Sequence, residues 1–358
     1  MSEKICLLTD SLSSGGAEKI VANLSVSLSN KGYKITIVSM RNNIDYDYKG
    51  KLYNFGLEKE MHSKLKAFFK FKSFFTKNDF DVIIDHRVRS NFIKEFMFSR
   101  FIFSKFKIIY CVHSSELSYY FNFLKFPKLS VFFHVKNAQF VSVCSAIQSS
   151  LLEKLSIDSK KIYNYVFTET IHKKALEIDF FYGSPYIIGV GRLTKKKQFD
   201  ILISCYAKSD LPKKNIKLKI QGDGPEKENL SQLISKLKLT DYIDLIPFTE
   251  NPYKIIQNAR SLVLTSRVEG FPMVIIESLN LGVPVIAFNC KSGPNEIVKH
   301  NVNGLLVEDQ NEDKLIKALN KLILNVPFYK SIKEHVKNGL EDFSETKIIS
   351  EWIHLLKN

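Results

Sequence analysis

The 358-residue sequence predicts an α/β protein built from two doubly wound domains, each a parallel sheet with helices on both faces. Three observations predict it. Short β-branched or apolar runs alternate with longer amphipathic ones through the first half; the same alternation restarts near Pro185; and the length suffices for two domains that each bury a core.

The first strand is KICLLTD, followed by the helical pattern AEKIVANLSVSLSNKG, which Gly32 closes, and then by the strand YKITIVSM. Strand patterns return at DVIIDH, KIIYCVH and QFVSVCS. The polar stretch from about Asp158 to Lys174, including IYNYVFTETIHKK, reads as the link between the halves. The second series runs PYIIGVGRL, KLKIQGDG, DYIDLIPF, RSLVLTS, VPVIAF and GLLV. After Leu306 the pattern is helical, with Ser344 as N-cap of a final helix that contains Trp352. The expected boundaries are 1–168 for the first domain and 169–343 for the second, with the helix 344–358 packing back on the first. In open sheets of this type the ligand sits beyond the carboxyl ends of the strands, so two such edges facing across a cleft would share one site.

A hydrophobic content of 45% with 25% charged residues excludes a disordered or fibrous chain. Five scattered cysteines without a C-x-x-C pair read as reduced thiols in a cytoplasm. The opening MSEKICLLTD reads as a strand, and the longest stretch without charged residues, Asn137 to Leu152, is too polar to span a bilayer. A net charge of +15 calls for an anionic partner: lipid headgroups, nucleic acid or a phosphorylated substrate.

The most informative segment is TSRVEGFPMVIIESLNLGVPVIAF, residues 265 to 288. Glu269 lies in the turn after a strand, Pro272 suits the first turn of a helix, and Glu277 falls further along that helix. The free N–H groups and the dipole of such a helix end form an anion site that a diphosphate fits. Ionised carboxylates accept hydrogen bonds from vicinal hydroxyls of a sugar or ribose. The plainer alternative is a capped helix with two solvated glutamates. A second constellation, GVGRLTKKKQFD at 189 to 200, follows a strand: Gly191 permits close backbone approach, and Arg192 and Lys197 can place two cations on a diphosphate. Lys195 and Lys196 read as a solvated loop. A third, SSGGAEKIVANLS at 13 to 25, has Gly15 and Gly16 between strand and helix, where glycines often serve only the turn.

The stretch EGFPMVIIE is similar to the E-x7-E signature of the retaining glycosyltransferase family 4, whose fold is GT-B. Its surroundings agree: GRLTKKKQFD resembles the family's G-R-L-x-x-x-K-x-x-D element, SSGGAEK its G-G-A-E loop, QGDGPEKENL at 221 to 230 its G-x-G-P turn, and IDLIPFTEN at 243 to 251 its nucleobase region. The resemblance implies that Glu269 contacts the donor hexose and Glu277 the ribose, and that Arg192 and Lys197 meet the diphosphate. It brings Gly15, Gly16, Gly191, Gly222, Gly270, Phe271, Met273, Val274 and Phe248 to the donor, with the amides of Phe271, Met273 and Val274 facing diphosphate or sugar. His113, at the end of KIIYCVH, falls where relatives carry a histidine near the donor sugar, although a lone histidine is more often structural. Thr249 departs from the family, where Gly is common, as does the absence of a Pro after Asn164.

The implied reaction is transfer of a hexose or N-acetylhexosamine from a nucleotide-sugar, expected to be a UDP-sugar, with retention and with no general base beyond the departing phosphate. No metal motif is read, so no obligatory cation is expected. Relatives make surface polysaccharides such as O-antigen or capsule, which points to a lipid-linked or polysaccharide acceptor. A dehydrogenase reading falls below the others because neither GVGRLT nor GDGPEK completes G-x-G-x-x-G. A GT-B epimerase or phosphorylase, or a membrane-binding relative whose site has lapsed, remains as an alternative; no nucleic-acid motif accompanies the charge. Between Lys64 and Lys136 there are fourteen Lys or Arg against five Asp or Glu, with seventeen of the 28 phenylalanines. That mixture suits peripheral contact with an anionic membrane on its cytoplasmic face.

Overall fold

The computed structural model describes residues 3–136, 138–177 and 183–357. They form two compact units: residues 1–164 with 345–358, and residues 165–344. The sequence places the passage between domains at 168; Tyr165 and Val166, both buried, already belong to the second unit.

In the first unit the chain runs β1 (Lys4–Thr9), α1 (Gly16–Asn30), β2 (Lys34–Ser39), β3 (Lys51–Asn54), α2 (Phe55–Met61), α3 (Lys64–Lys77) and β4 (Val82–Asp85). It continues through α4 (Phe92–Phe101), β5 (Lys107–Val112), α5 (Pro127–Phe132), β6 (Gln139–Ser142), α6 (Ser145–Leu155) and β7 (Lys160–Lys161). The seven strands are parallel in the order β3-β2-β1-β4-β5-β6-β7. The winding reverses between β1 and β4, so the loops after these two strands flank the switch point.

The second unit starts with α7 (Thr168–Leu176), then β8 (Tyr186–Val190), α8 (Phe199–Lys208), β9 (Lys217–Gln221), α9 (Lys227–Lys236), β10 (Ile243–Ile246) and α10 (Tyr253–Gln257). It ends with β11 (Leu262–Leu264), α11 (Met273–Asn280), β12 (Val285–Phe288), α12 (Pro294–Ile297), β13 (Gly304–Val307), α13 (Glu312–Leu324) and α14 (Val326–Glu334). Its six parallel strands are ordered β10-β9-β8-β11-β12-β13, with the switch between β8 and β11. The last helix, α15 (Glu345–Lys357), returns to the first unit: Ser27 Oγ on α1 donates to Glu345 Oε1 at 2.6 Å, and Trp352 is buried beside His86.

Local chemistry accounts for these elements. β1 and β4 read as near-continuous apolar runs because a parallel sheet is covered on both faces, and Ile5–Leu8 and Val82–Ile84 are buried. Asn91 caps α4 by accepting from Lys94 N–H at 3.0 Å, and Asn311 does the same for α13 through Lys314. Gly32, at φ +92°, ends α1 in the left-handed region that glycine tolerates. The polar stretch expected as a linker contains β7 and α7 instead. Its polarity hid a helix that buries only Ile171 and Ala175.

Seven of the seventeen phenylalanines of the basic segment are buried and six are exposed. Phe71, Phe75, Phe98 and Phe103 form one buried ring cluster, with centroids 5.0 Å apart for the Phe71–Phe75 and Phe71–Phe98 pairs. The exposed side of α3 is different. Leu65 and Phe69 are 74% and 62% exposed there, with Lys64, Lys66, Lys70 and Lys72 around them. Among the described residues no helix is long and apolar enough to cross a membrane.

Candidate functional site

In the second unit the loops leaving β8 and β9 are laced together by backbone. After β8, Gly191 N–H donates to Gln221 O and Leu193 N–H to Asp223 O, at 3.0 and 2.8 Å; Glu226 N–H returns a bond to Leu193 O at 3.0 Å. Gly191 and Gly222 sit at φ +156° and +157°, and a Cβ on Gly222 would lie 1.9 Å from the Gly191 carbonyl oxygen. Glycine at 222 is therefore required by the approach of one loop to the other, and at 191 by the positive φ alone.

The β8 loop is equally tied to the loop after β11. Thr265 Oγ1 donates to the carbonyls of Lys197 and Gln198, each at 3.0 Å, and Arg267 N–H donates to Lys196 O at 2.9 Å. These ties lay the aliphatic stem of Lys197 across Gly191 and bring its Nζ to within 2.5 Å of Glu269 Oε1. The two residues are 72 positions apart in sequence, and their side chains are only 25% and 11% exposed. A half-sheltered cation and carboxylate thus stand side by side at the switch point.

Glu269 is held from the other side by a loop that sequence reasoning missed. Ser292 Oγ donates to Glu269 O at 2.5 Å, and Gly293, at φ +95°, abuts Pro272 and Gly270 so closely that a Cβ would be 2.5 Å from Pro272 Cδ. The available signal was CKSGPNE after strand VPVIAF, which repeats the strand–Gly–Pro–helix arrangement of EGFP. Past Pro272, the N-cap of α11, Met273 and Val274 supply first-turn amides. Glu277 is buried on the same helix. Phe271 is buried with its ring 5.5 Å from that of Phe343, so only its backbone is available to a ligand. Arg192 is exposed on the β8 loop, and Phe248 is 51% exposed after the edge strand β10. Ser266 Oγ and Gln221 Oε1, at the ends of β11 and β9, are buried without a hydrogen-bond partner.

In the first unit Gly15 is the N-cap of α1 and Gly16 its first residue. A Cβ on Gly15 would meet the Glu18 carboxylate at 1.9 Å, so the glycine makes room for that side chain to fold back over the helix start. The β4 loop lies alongside: Val88 N–H donates to Asp10 Oδ2 at 2.8 Å. The expectation of no obligatory cation rested on reading no metal motif, and that needs correction. The D-x-D pattern occurs twice, at Asp45–Asp47 and Asp79–Asp81. Asp45 accepts a hydrogen bond from Ser13, while Asp81 accepts from Lys4 N–H at the opposite, amino ends of the strands.

His113 follows β5 directly, and its Nε2 lies 2.9 Å from Nδ1 of His86, which follows β4. Burial, opposed by Asp85 and reinforced by Arg89, lowers the His86 pKa to about 4. Burial, with His86 and Arg89 adding to it, holds His113 well below the usual imidazole range. Both rings are therefore neutral at neutral pH. Beneath them Arg87 bridges Asp85, at 2.7 Å, and Glu95, at 3.1 Å, with all three side chains buried.

Residues 14–166 match the family Glycosyltransferase Family 4, and residues 173–339 match Glycosyl transferases group 1. The chain is a GT-B glycosyltransferase. The enzyme is 28% identical over 369 residues, spanning 99% of both chains, to the N-acetylgalactosamine-N,N'-diacetylbacillosaminyl-diphospho-undecaprenol 4-alpha-N-acetylgalactosaminyltransferase of Campylobacter jejuni. It is 35% identical over 170 residues to an uncharacterized glycosyltransferase of Haemophilus influenzae, a match spanning only 48% of each chain. The crystal structure of Anabaena Alr3699/HepE in complex with UDP-glucose superposes with a TM-score of 0.76 at 17% identity, covering 99% of both chains. That likeness is one of fold.

Proposed function

We propose that this glycosyltransferase transfers a hexose or N-acetylhexosamine from a UDP-sugar, with retention, to a lipid-linked or surface-polysaccharide acceptor. The observation that carries the proposal is the Lys197–Glu269 pair beside the first turn of α11 at the switch point. Lys197, with Arg192, offers positive charge to the diphosphate as the glycosidic bond breaks, and the α11 amides add fixed dipoles. Glu269 accepts from hydroxyls of the sugar, Glu277 from the ribose, and a departing phosphate oxygen takes the acceptor proton. His113 contacts the donor sugar. The Campylobacter relative, named for a diphospho-undecaprenol acceptor, supports the lipid-linked reading, and the UDP-glucose complex of the Anabaena protein supports the nucleotide.

The division of labour between the glutamates is testable by calorimetry with UDP alone. Glu277→Ala weakens UDP binding roughly ten- to a hundredfold, the range of a hydrogen bond to a charged group. Glu269→Gln leaves UDP affinity within twofold and lowers turnover. Equal loss of UDP affinity in both variants would sink the assignment.

The enzyme also works at an anionic membrane on its cytoplasmic face, through the exposed side of α3. Leu65 and Phe69 enter the acyl boundary while the surrounding lysines meet headgroups. Lys70 already pairs with Glu58 at 2.9 Å, so it contributes less than Lys64, Lys66 and Lys72. In co-sedimentation with liposomes, binding rises with anionic lipid and falls with salt. It drops when those three lysines become Gln, while UDP affinity stays unchanged. A protein that stays in the supernatant with strongly anionic vesicles at low salt has no such surface.

A further inference from the structure

Two buried side chains, Cys111 and His86, and the half-buried His113 stand in a row in the first unit. Cys111 Sγ lies 3.8 Å from His86 Nε2, and His86 Nδ1 lies 2.9 Å from His113 Nε2. The row ends at His113 Nδ1, which is buried without a hydrogen-bond partner. The fold fixes it at both ends. His113 N–H donates to Tyr120 Oη at 3.0 Å, and the His86 ring lies against Trp352 on α15, centroids 6.3 Å apart.

The cluster has the composition of a metal site, with its ligand atoms within 4.8 Å of one another, but its arrangement argues otherwise. His86 turns one nitrogen to each neighbour, so the nitrogen that faces the thiol is not the one that faces His113. Three donors arranged in this way do not converge on a single point, as a metal ion requires. The Arg89 guanidinium lies close by, its Nη2 donating to Cys111 O at 3.1 Å, and a second cation there would be repelled.

Hydrogen bonding gives the row a direction. Burial pushes the Cys111 pKa up, so the sulfur keeps its proton, and His86 Nε2 is the acceptor within reach. A neutral imidazole that accepts at Nε2 carries its proton on Nδ1, and here that N–H points to His113 Nε2. His113 must then carry its own proton on Nδ1.

We infer that His86 is a positioning residue: its hydrogen bond to His113 fixes the Nδ1–H tautomer of His113 and presents that N–H as a donor to an oxygen of the transferred sugar. The inference rests on the proposal that His113 contacts the donor sugar. A donor at that place stays neutral throughout the reaction, because the charge of Arg89 and the burial of both rings oppose an imidazolium. Neutrality matters beside a sugar that becomes cation-like as its glycosidic bond breaks, since a second positive charge there would raise the barrier.

The direct test is nitrogen NMR on the full chain labelled with 15N-histidine, with His113→Gln used to assign the signal. His113 should be protonated on Nδ1 and bare on Nε2. His86→Phe, which keeps a ring in the space but offers no donor, should abolish that preference, and His86→Asn, which keeps a donor near the Nδ1 position, should restore it. An Nε2–H tautomer in the unmodified protein, or an unchanged tautomer in a folded His86→Phe variant, overturns the inference. So does joint movement of the His86 and His113 nitrogen signals on adding one equivalent of zinc. Turnover is read with whichever of UDP-glucose, UDP-galactose, UDP-N-acetylglucosamine and UDP-N-acetylgalactosamine the protein hydrolyses fastest. His86→Phe should lower kcat/KM roughly tenfold, the size of one hydrogen bond, and should have no further effect once His113→Gln is present. Equal losses from His86→Phe in both backgrounds overturn the positioning role. A His113→Gln variant with normal turnover overturns the donor-contact proposal beneath it, whatever the tautomer shows.

Discussion

Lys197→Ala lowers kcat roughly a hundred- to a thousandfold, the usual cost of removing one preorganised group aimed at developing charge. The loss falls on kcat because the negative charge on the leaving diphosphate grows as the bond breaks, and Lys197 is placed in advance. Its stem is seated over Gly191, its carbonyl is pinned by Thr265, and its ammonium is aligned by Glu269. Lys197→Arg does not rescue fully. The planar fork cannot follow the same path between Gly191 and Glu269, although its charge is the same. Chelation separates this from metal catalysis: activity unchanged by EDTA fits the assignment, and activity lost to EDTA and restored by magnesium or manganese refutes it. A Lys197→Ala enzyme within threefold of normal kcat refutes it too.

Arg87→Ala destabilises the first unit by about 3–5 kcal/mol, the cost of breaking a buried ion pair from one side. Asp85 and Glu95 would be left as buried carboxylates without the cation that satisfies both. Burial opposes ionisation of Asp85, but Arg87 and Arg89 outweigh it and hold the carboxyl below its usual range. Removing Arg87 reverses that balance. Trp352, the single tryptophan, is buried in this unit next to His86, so its fluorescence follows urea unfolding of the first unit alone. The midpoint should fall steeply for Arg87→Ala and much less for a triple replacement of Asp85, Arg87 and Glu95 by apolar residues of similar volume. That replacement removes the desolvation cost together with the attraction. Equal losses in the single and triple variants would show that packing, and not charge, holds the cluster.

The sheets were legible because parallel strands buried on both faces leave unmistakable apolar runs, such as KICLLTD and VPVIAF. β3 and β7 were not, since KLYN and the two-residue KK carry no such pattern and are set by pairing with β2 and β6. Glu269 and Lys197 could be picked out from local motifs, yet no local rule says that they touch across 72 residues. That contact depends on the Thr265 hydroxyl and the Arg267 N–H, which tie the two loops through backbone carbonyls that no sequence pattern marks. Ser292 was missed because it acts through the Glu269 carbonyl and not through a ligand-like group of its own. The role of His86 was hidden for a related reason. It read as the end of the strand DVIIDH, and its partner lies 27 residues further on. The phenylalanine-rich helices were legible only in part: their composition suggests an interface with some rings in the core, and pattern alone cannot say which rings meet α4 and which meet solvent.

The return of α15 to the first unit sets an order on biosynthesis. Residues 165–344 lie between the two parts of that unit, so all of the second unit leaves the ribosome before the helix that completes the first. At about 5–20 residues per second that interval is roughly ten to forty seconds. During it the seven strands of the first unit are already made, while the surface that Ile348, Ile349 and Trp352 will cover stays open to water or to a chaperone. The second unit has its whole sequence in one piece and can finish folding as it emerges. The whole sequence of the 165–344 unit is therefore synthesised before the helix that brings Trp352 to His86.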